Sequence, residues 1–132
     1  MLKSISLKTH KRVEAIDITD EISKLVKESG VERGICIVFV PHTTASITIN
    51  ENADPSVIRD ILSTLSELIP YNKTYTHLEG NADAHIKSSI TGSSREIIIE
   101  SGKLLLGTWQ GVFFLEFDGP RTRKVFVKVI KG

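Results

Sequence analysis

The sequence predicts a single α+β domain built mainly from antiparallel strands with about three helices. Three observations carry that expectation. The length of 132 residues fits one domain. Short alternating or wholly apolar runs, bounded by turn residues, recur along the chain. Only three stretches carry helical spacing or capping signals, and they do not alternate with strands as a parallel α/β sheet requires.

Residues 2–9 and 12–18 alternate as strands and are expected to pair as a hairpin, with His10 in a solvated turn. Thr19 is placed to cap a helix through Ser29, with Asp20 and Glu21 in its first turn, Gly30 at its end, and Ile22, Leu25 and Val26 as its apolar stripe. Residues 34–40 are apolar on both faces, so this strand is expected to be covered on both sides until Pro41 ends it. Ala45 to Asn50 resumes an extended pattern. Asp54-Pro55 is a strong helix start, and Val57, Ile58, Ile61, Leu62, Leu65, Leu68 and Ile69 follow at helical spacing up to Pro70.

Residues 71–80 read as a loop. Asn81-Ala82-Asp83 opens a third helix ending near Thr91-Gly92, with Ala82, Ile86 and Ile90 on one stripe and His85 and Ser89 on another. The remainder is strand-rich: 95–101, 104–106, 108–117 and 122–131, the last two joined by Asp118-Gly119-Pro120-Arg121. Val112 to Leu115 and Val125 to Val127 are again apolar on both faces. Such strands need a helix layer, a second sheet or a partner copy.

Composition narrows the function classes. Lysine plus arginine number 17 against 16 acidic residues, so no charge excess points to nucleic acid or an anionic membrane. No stretch approaches the ~20 apolar residues of a membrane span, and no signal core opens the chain, so a cytoplasmic location is the default. The single cysteine, Cys36, lies in an apolar run and reads as a small hydrophobe.

Polar residues concentrate in two loops where a core does not want them, 41–44 with 50–54, and 77–85. Three of the four histidines fall there: His42, His77 and His85. Neutral imidazoles suit zinc and related ions, and three with an open position make a catalytic type of site. Glu51, Asp54, Glu79 and Asp83 add carboxylates that suit magnesium or orient histidines, although Asp54 and Asp83 also make sense as helix caps. The hydroxyl-rich run from Ser88 to Arg95 suits phosphate poorly, because a helix C-terminus repels anions. Arg121 and Arg123 flank a tight turn and suit a phosphate clamp as well as they suit solvent. Trp109-Gln110-Gly111 interrupts an aliphatic strand and offers a stacking wall.

At these segments the sequence resembles the YjbQ-like family. Residues 41–55, PHTTASITINENADP, look like its first signature, and residues 81–89, NADAHIKSS, like its second. Residues 104–111, LLLGTWQG, with 116–121, EFDGPR, look like the third. The resemblance implies an α+β fold containing an antiparallel β-sandwich, assembled as a homotrimer. It also implies secondary thiamine-phosphate synthase activity, which joins hydroxymethylpyrimidine diphosphate to thiazole phosphate and releases pyrophosphate. The residues it carries over are His42, Asn50, Glu51, His77, Asn81, Asp83, His85, Trp109, Gln110 and Arg121, joined as candidate substrate contacts by Thr44 and Ser88. His42, Glu51, His77, Asp83 and His85 are the expected catalytic set, and the three histidines the expected ligands of a divalent ion, zinc or magnesium. The phosphorylated small-molecule substrate sits uneasily with them: pyrophosphate departure recruits magnesium through carboxylates, whereas three imidazoles favour zinc. A histidine-site hydrolase with Glu51 or Glu79 as general base, and a non-catalytic trimer binding a metabolite or a metal, are the alternatives.

Overall fold

The computed structural model describes residues 1–132 as eight strands and three helices. In chain order these are β1 (Leu2–Lys8), β2 (Glu14–Asp17), α1 (Thr19–Ser29), β3 (Gly34–Phe39), β4 (Ala45–Glu51), α2 (Pro55–Leu68), α3 (Ala82–Thr91), β5 (Ser94–Glu100), β6 (Lys103–Leu104), β7 (Gln110–Glu116) and β8 (Thr122–Lys131). A five-stranded sheet runs β1-β8-β3-β5-β6 and a three-stranded sheet runs β2-β7-β4, with all pairs antiparallel.

The expected hairpin of 2–9 with 12–18 does not form. β1 pairs with β8 in the large sheet, whereas β2 pairs with β7 in the small one. Alternation identifies a strand and its buried face but not its partner, and here the chain crosses from one sheet to the other between them.

Packing follows from β7, whose residues Gly111 to Glu116 are all buried. Val112 and Phe114 face the large sheet, joining Cys36, Val38, Val125, Val127 and Ile47 in the main core, which Ile18, Ile22 and Val26 of the α1 region close at one edge. Phe113 and Leu115 face the other way, packing with Phe117 and Ala84 against Ile58, Leu62 and Leu65 of α2. The small sheet is thus the middle layer between the large sheet and α2 with α3, which explains why its central strand is apolar on both faces.

The large sheet lacks a second cover. On β3, Cys36 and Val38 are buried but Ile35 and Phe39 are exposed, so the expectation of two covered faces fails within one chain. α2 starts as its sequence demands, with the Asp54 carboxylate accepting the Ser56 N–H at 2.9 Å and Pro55 in the first turn. α1 differs at its start. Thr19 is the first helical residue and does not cap the helix; Asp17 accepts the Thr19 N–H at 3.0 Å, and the Thr19 hydroxyl donates to Asp17. Gly30 ends α1 with φ +69°, a left-handed position that glycine adopts without strain. α3 does not bury the expected Ile86 and Ile90, which are exposed. It buries Asp83, Ala84 and Lys87 instead, because two charges pair beneath it.

Candidate functional site

The polar residues gather at one end of the β4–β7 pair, where Ala45 lies opposite Glu116 and the Phe117 N–H donates to the Thr44 carbonyl. The foundation there is ionic. Arg123 is 6% exposed and its guanidinium spans the buried Glu116 carboxylate, with Nε donating to Oε1 at 2.8 Å. Its Nη2 donates to the Thr44 hydroxyl at 2.8 Å, and the Thr9 hydroxyl donates to Glu116 at 2.8 Å. Arg123 is therefore no solvated arginine. Its pair is fully hydrogen-bonded, the condition under which a buried ion pair is tolerated.

A second buried pair holds α3. Asp83 accepts from Lys87 Nζ at 2.8 Å and from both terminal nitrogens of Arg12, at 2.8 and 3.2 Å. Arg12 also stacks on the Tyr71 ring, 4.1 Å from its centroid. Burial pushes the Asp83 carboxyl up, but hydrogen bonds from Arg12 and Lys87 outweigh that and hold it below the usual range. The same contacts push Arg12 up. Asp83 thus caps nothing; it ties the first turn of α3 to the β1–β2 connection.

Over these pairs lies an open cleft of about 350 Å³, walled by Pro41, His42, Thr43, Thr44, Glu79, Asn81, His85, Asp118, Arg121 and Arg123. Pro41 is the one apolar residue on its walls. Asn81 donates to Asp118 at 2.9 Å, and Arg121 holds the same Asp118 carboxylate at 2.9 Å. The turn carrying them lies close against the β1–β2 connection. Gly119 donates to the Arg12 carbonyl, and a Cβ there would stand 2.2 Å from the Lys11 carbonyl oxygen. Asn81 Oδ1 is the one buried side-chain polar atom without a partner.

An adjoining cleft of about 330 Å³ shares His42, Thr43 and His85 and adds Ser88, Ser89 and Ser93. The Ser88 hydroxyl donates to the Ala45 carbonyl at 3.1 Å, which fixes it against β4. His77 meets His85 on the remaining side, ring centroids 5.2 Å apart and edge to face, with Glu79 3.7 Å from His77. Three depressions are larger: one of about 450 Å³ between Tyr75, Thr76, His77, Ala82, His85 and Ile86, and two of about 1080 and 580 Å³ near the C-terminal end of α1 and the β5–β6 turn, the last two away from every predicted site residue.

Of the predicted residues, His42, Thr44, Asn81, His85 and Arg121 thus wall one cleft. Ser88 joins them next door, and His77 adjoins through His85. Asn50, Glu51, Trp109 and Gln110 stand elsewhere. Glu51 lies opposite Gln110 at the far end of β4–β7, a strand length of roughly 20 Å from Ala45. Trp109 is 62% exposed in the turn before β7 and lines none of these clefts, so one chain offers no stacking wall beside the histidines.

The metal expectation meets the same geometry. No three histidine, cysteine or acidic side chains converge as a ligand set. His77 and His85 stand together, but His42 Nε2 is engaged by the β8 backbone, 3.0 Å from the Lys124 nitrogen. Within one chain two imidazoles stand side by side, not three. Burial, and then the nearby Arg123 charge, push the His42 pKa below its usual value, keeping the ring neutral near pH 7. Sequence reading passed over Arg12, Lys87, Glu116 and Asp118. Two of these carried a signal, since Glu116 interrupts an apolar strand and Lys87 lies four residues after Asp83 on a helix.

The family model described as UPF0047 protein YjbQ-like matches residues 3–132. A UPF0047 protein of Methanocaldococcus jannaschii is 62% identical over 130 residues, covering 98% of this chain and 94% of that one. The YugU protein of Bacillus subtilis is 50% identical over 131 residues, covering 98% and 99%. Among solved structures, an uncharacterised YjbQ/UPF0047 protein from Clostridium acetobutylicum superposes with TM-score 0.95 at 61% identity, covering 97% of this chain and 99% of that one. A YbjQ-like protein of unknown function from Sulfolobus solfataricus superposes with TM-score 0.96 at 35% identity, covering 100% and 97%.

Proposed function

The chain belongs to the UPF0047 protein YjbQ-like family, and from that premise we propose that it is a transferase of the secondary thiamine-phosphate synthase type, acting on phosphorylated small molecules. The supporting observation is the cleft between His42, Asn81, His85 and Arg121, which is polar apart from Pro41 and carries two arginines beside Glu79 and Asp118 on its walls. Such a wall suits a diphosphate and suits an apolar ligand badly.

In that reaction the C–O bond to the pyrimidine methylene breaks, pyrophosphate leaves with the bonding electrons, and the thiazole nitrogen lone pair forms the new C–N bond. No external oxidant or reductant is needed. The negative charge that grows on the leaving group is what Arg121 would stabilise by electrostatics and positioning. Magnesium would arrive as the salt of the diphosphate substrate.

The test is direct. Purified protein is mixed with hydroxymethylpyrimidine diphosphate, thiazole phosphate and magnesium, and thiamine phosphate and pyrophosphate are both measured. The expected result is the two products in equal amounts, strongly reduced in Arg121→Ala. No product above the enzyme-free control removes the synthase reading. The His77–His85 pair favours a second reading, a metal-dependent hydrolase, which orthophosphate release that requires added zinc would support. Tight binding of pyrophosphate without turnover of any substrate would leave a binding module.

The homotrimer belongs to the same proposal. Ile35 lies opposite both Ile98 and Ile130, and all three are exposed on the uncovered face of the large sheet, with Phe39 close by. An apolar row of that kind calls for a cover. Light scattering at three chain masses, shifted to one by Ile98→Glu, is the expected result.

A further inference from the structure

We propose that His42 serves as a fixed, neutral hydrogen-bond donor to a ligand oxyanion through Nδ1, rather than as a metal ligand through Nε2. The ligand class rests on the reading of the cleft as a diphosphate site; the tautomer does not.

Pro41 opens the position that His42 fills. Phe39 lies opposite Phe126 in the β3–β8 ladder, so continuing that register places residue 41 opposite Lys124. Proline has no N–H and ends the strand, so no backbone of β3 continues along β8 at Lys124. The next side chain takes up that position. The Lys124 N–H donates to His42 Nε2 at 3.0 Å.

Nε2 also lies 3.2 Å from the Lys124 carbonyl oxygen, so two tautomers compete. With the proton on Nε2, the ring would donate to that carbonyl but would face the Lys124 N–H donor to donor. With the proton on Nδ1, Nε2 accepts the Lys124 N–H and no two donors face each other. The second arrangement satisfies the geometry, and the first does not.

Nδ1 then carries the ring's only proton and has no partner within the chain. It is not a buried orphan either, since Asn81 Oδ1 alone holds that status. The ring borders both clefts, so its one uncommitted polar atom is a donor at the wall shared with Arg121 and Thr43. A cation finds no lone pair there. An oxyanion finds a donor already oriented by β8.

The test combines nuclear magnetic resonance with calorimetry, using inorganic pyrophosphate as the probe. Two-bond proton–nitrogen correlations at pH 7.5 are expected to show His42 as the Nδ1–H tautomer before and after pyrophosphate is added. His42→Gln supplies an amide near the place of Nε2 but no donor where Nδ1 stood. Its melting temperature is expected to match the native protein while its pyrophosphate affinity falls about tenfold or more. His42→Asn, which keeps a donor near Nδ1, is expected to retain more affinity than His42→Gln.

An Nε2–H tautomer, or undiminished binding by a folded His42→Gln, overturns the assignment and leaves the cleft reading intact. Zinc bound at one per chain, with His42 resonances shifted to a metal-bound position, overturns it as well. Failure of the native protein to bind pyrophosphate overturns the cleft reading and this ligand together.

Discussion

The two ends of the β4–β7 pair are built on different principles. At the Ala45–Glu116 end, buried charges are paired: Arg123 with Glu116, and Lys87 with Asp83, which the half-buried Arg12 also holds. These pairs fix Thr44, α3 and the 118–121 turn beneath a mostly polar cleft. At the Glu51–Gln110 end the contacts are single and exposed. Asn52 donates to Asp17 at 3.1 Å, Gln110 accepts the Gly107 N–H at 2.8 Å, and Trp109 projects into solvent. One end is preorganised and the other is held lightly. Catalysis by positioning requires the first kind of construction.

The strongest way to break the comparison is at Asp83. Asp83→Ala leaves Lys87 buried without its partner, and a loss of about 3–5 kcal/mol in urea unfolding is expected. A loss under about 1 kcal/mol would show that the pair is not structural. Its pH dependence has a definite sign. The folded-state carboxyl titrates below its usual value, so the unfolded chain takes up the proton first as acid is added. This contribution is therefore complete above the ordinary aspartate range and disappears as pH falls through the lower folded-state value. Stability of the native protein should fall more steeply there than in Asp83→Asn.

Next in size is Gly119→Ala. Its new Cβ meets the Lys11 carbonyl, and a cost of about 1–3 kcal/mol is expected, with weaker pyrophosphate binding as the 118–121 turn shifts. An unchanged melt would mean that the turn is free to move. At the lightly held end the effects shrink. Asp54→Ala removes the cap of α2 and should lower the melting temperature by about 4 °C without changing pyrophosphate affinity. Trp109→Ala should change stability by less than about 0.5 kcal/mol.

What the sequence made legible divides along the same line. α2 was readable because Asp54-Pro55 is a local signal, and the Asp54 carboxylate caps the helix as expected. The apolar run of β3 identified the strand but not its covered face, since the exposed Ile35 and Phe39 are as apolar as the buried Cys36 and Val38. The partners of β1 and β2 were not readable, because pairing across so long a stretch of chain is fixed by the whole sheet and not by either strand. The histidine neighbourhood was foreshadowed by polar residues in loops, yet Asn50, Glu51, Trp109 and Gln110 share that pattern and lie a strand length away. Spacing along a chain does not say which end of a sheet a residue reaches. Lys87 and Arg123 were only half legible for another reason: a charge reads as solvated until its buried partner is known.

The central claim is that anion binding belongs to the preorganised end. Amide chemical shifts, followed as inorganic pyrophosphate is titrated into the native protein, test it most directly. The account predicts perturbations concentrated in residues 41–44, 79–89 and 118–124, with residues 50–52 and 107–110 unmoved. Saturable shifts centred on Glu51, Trp109 and Gln110 instead would contradict it.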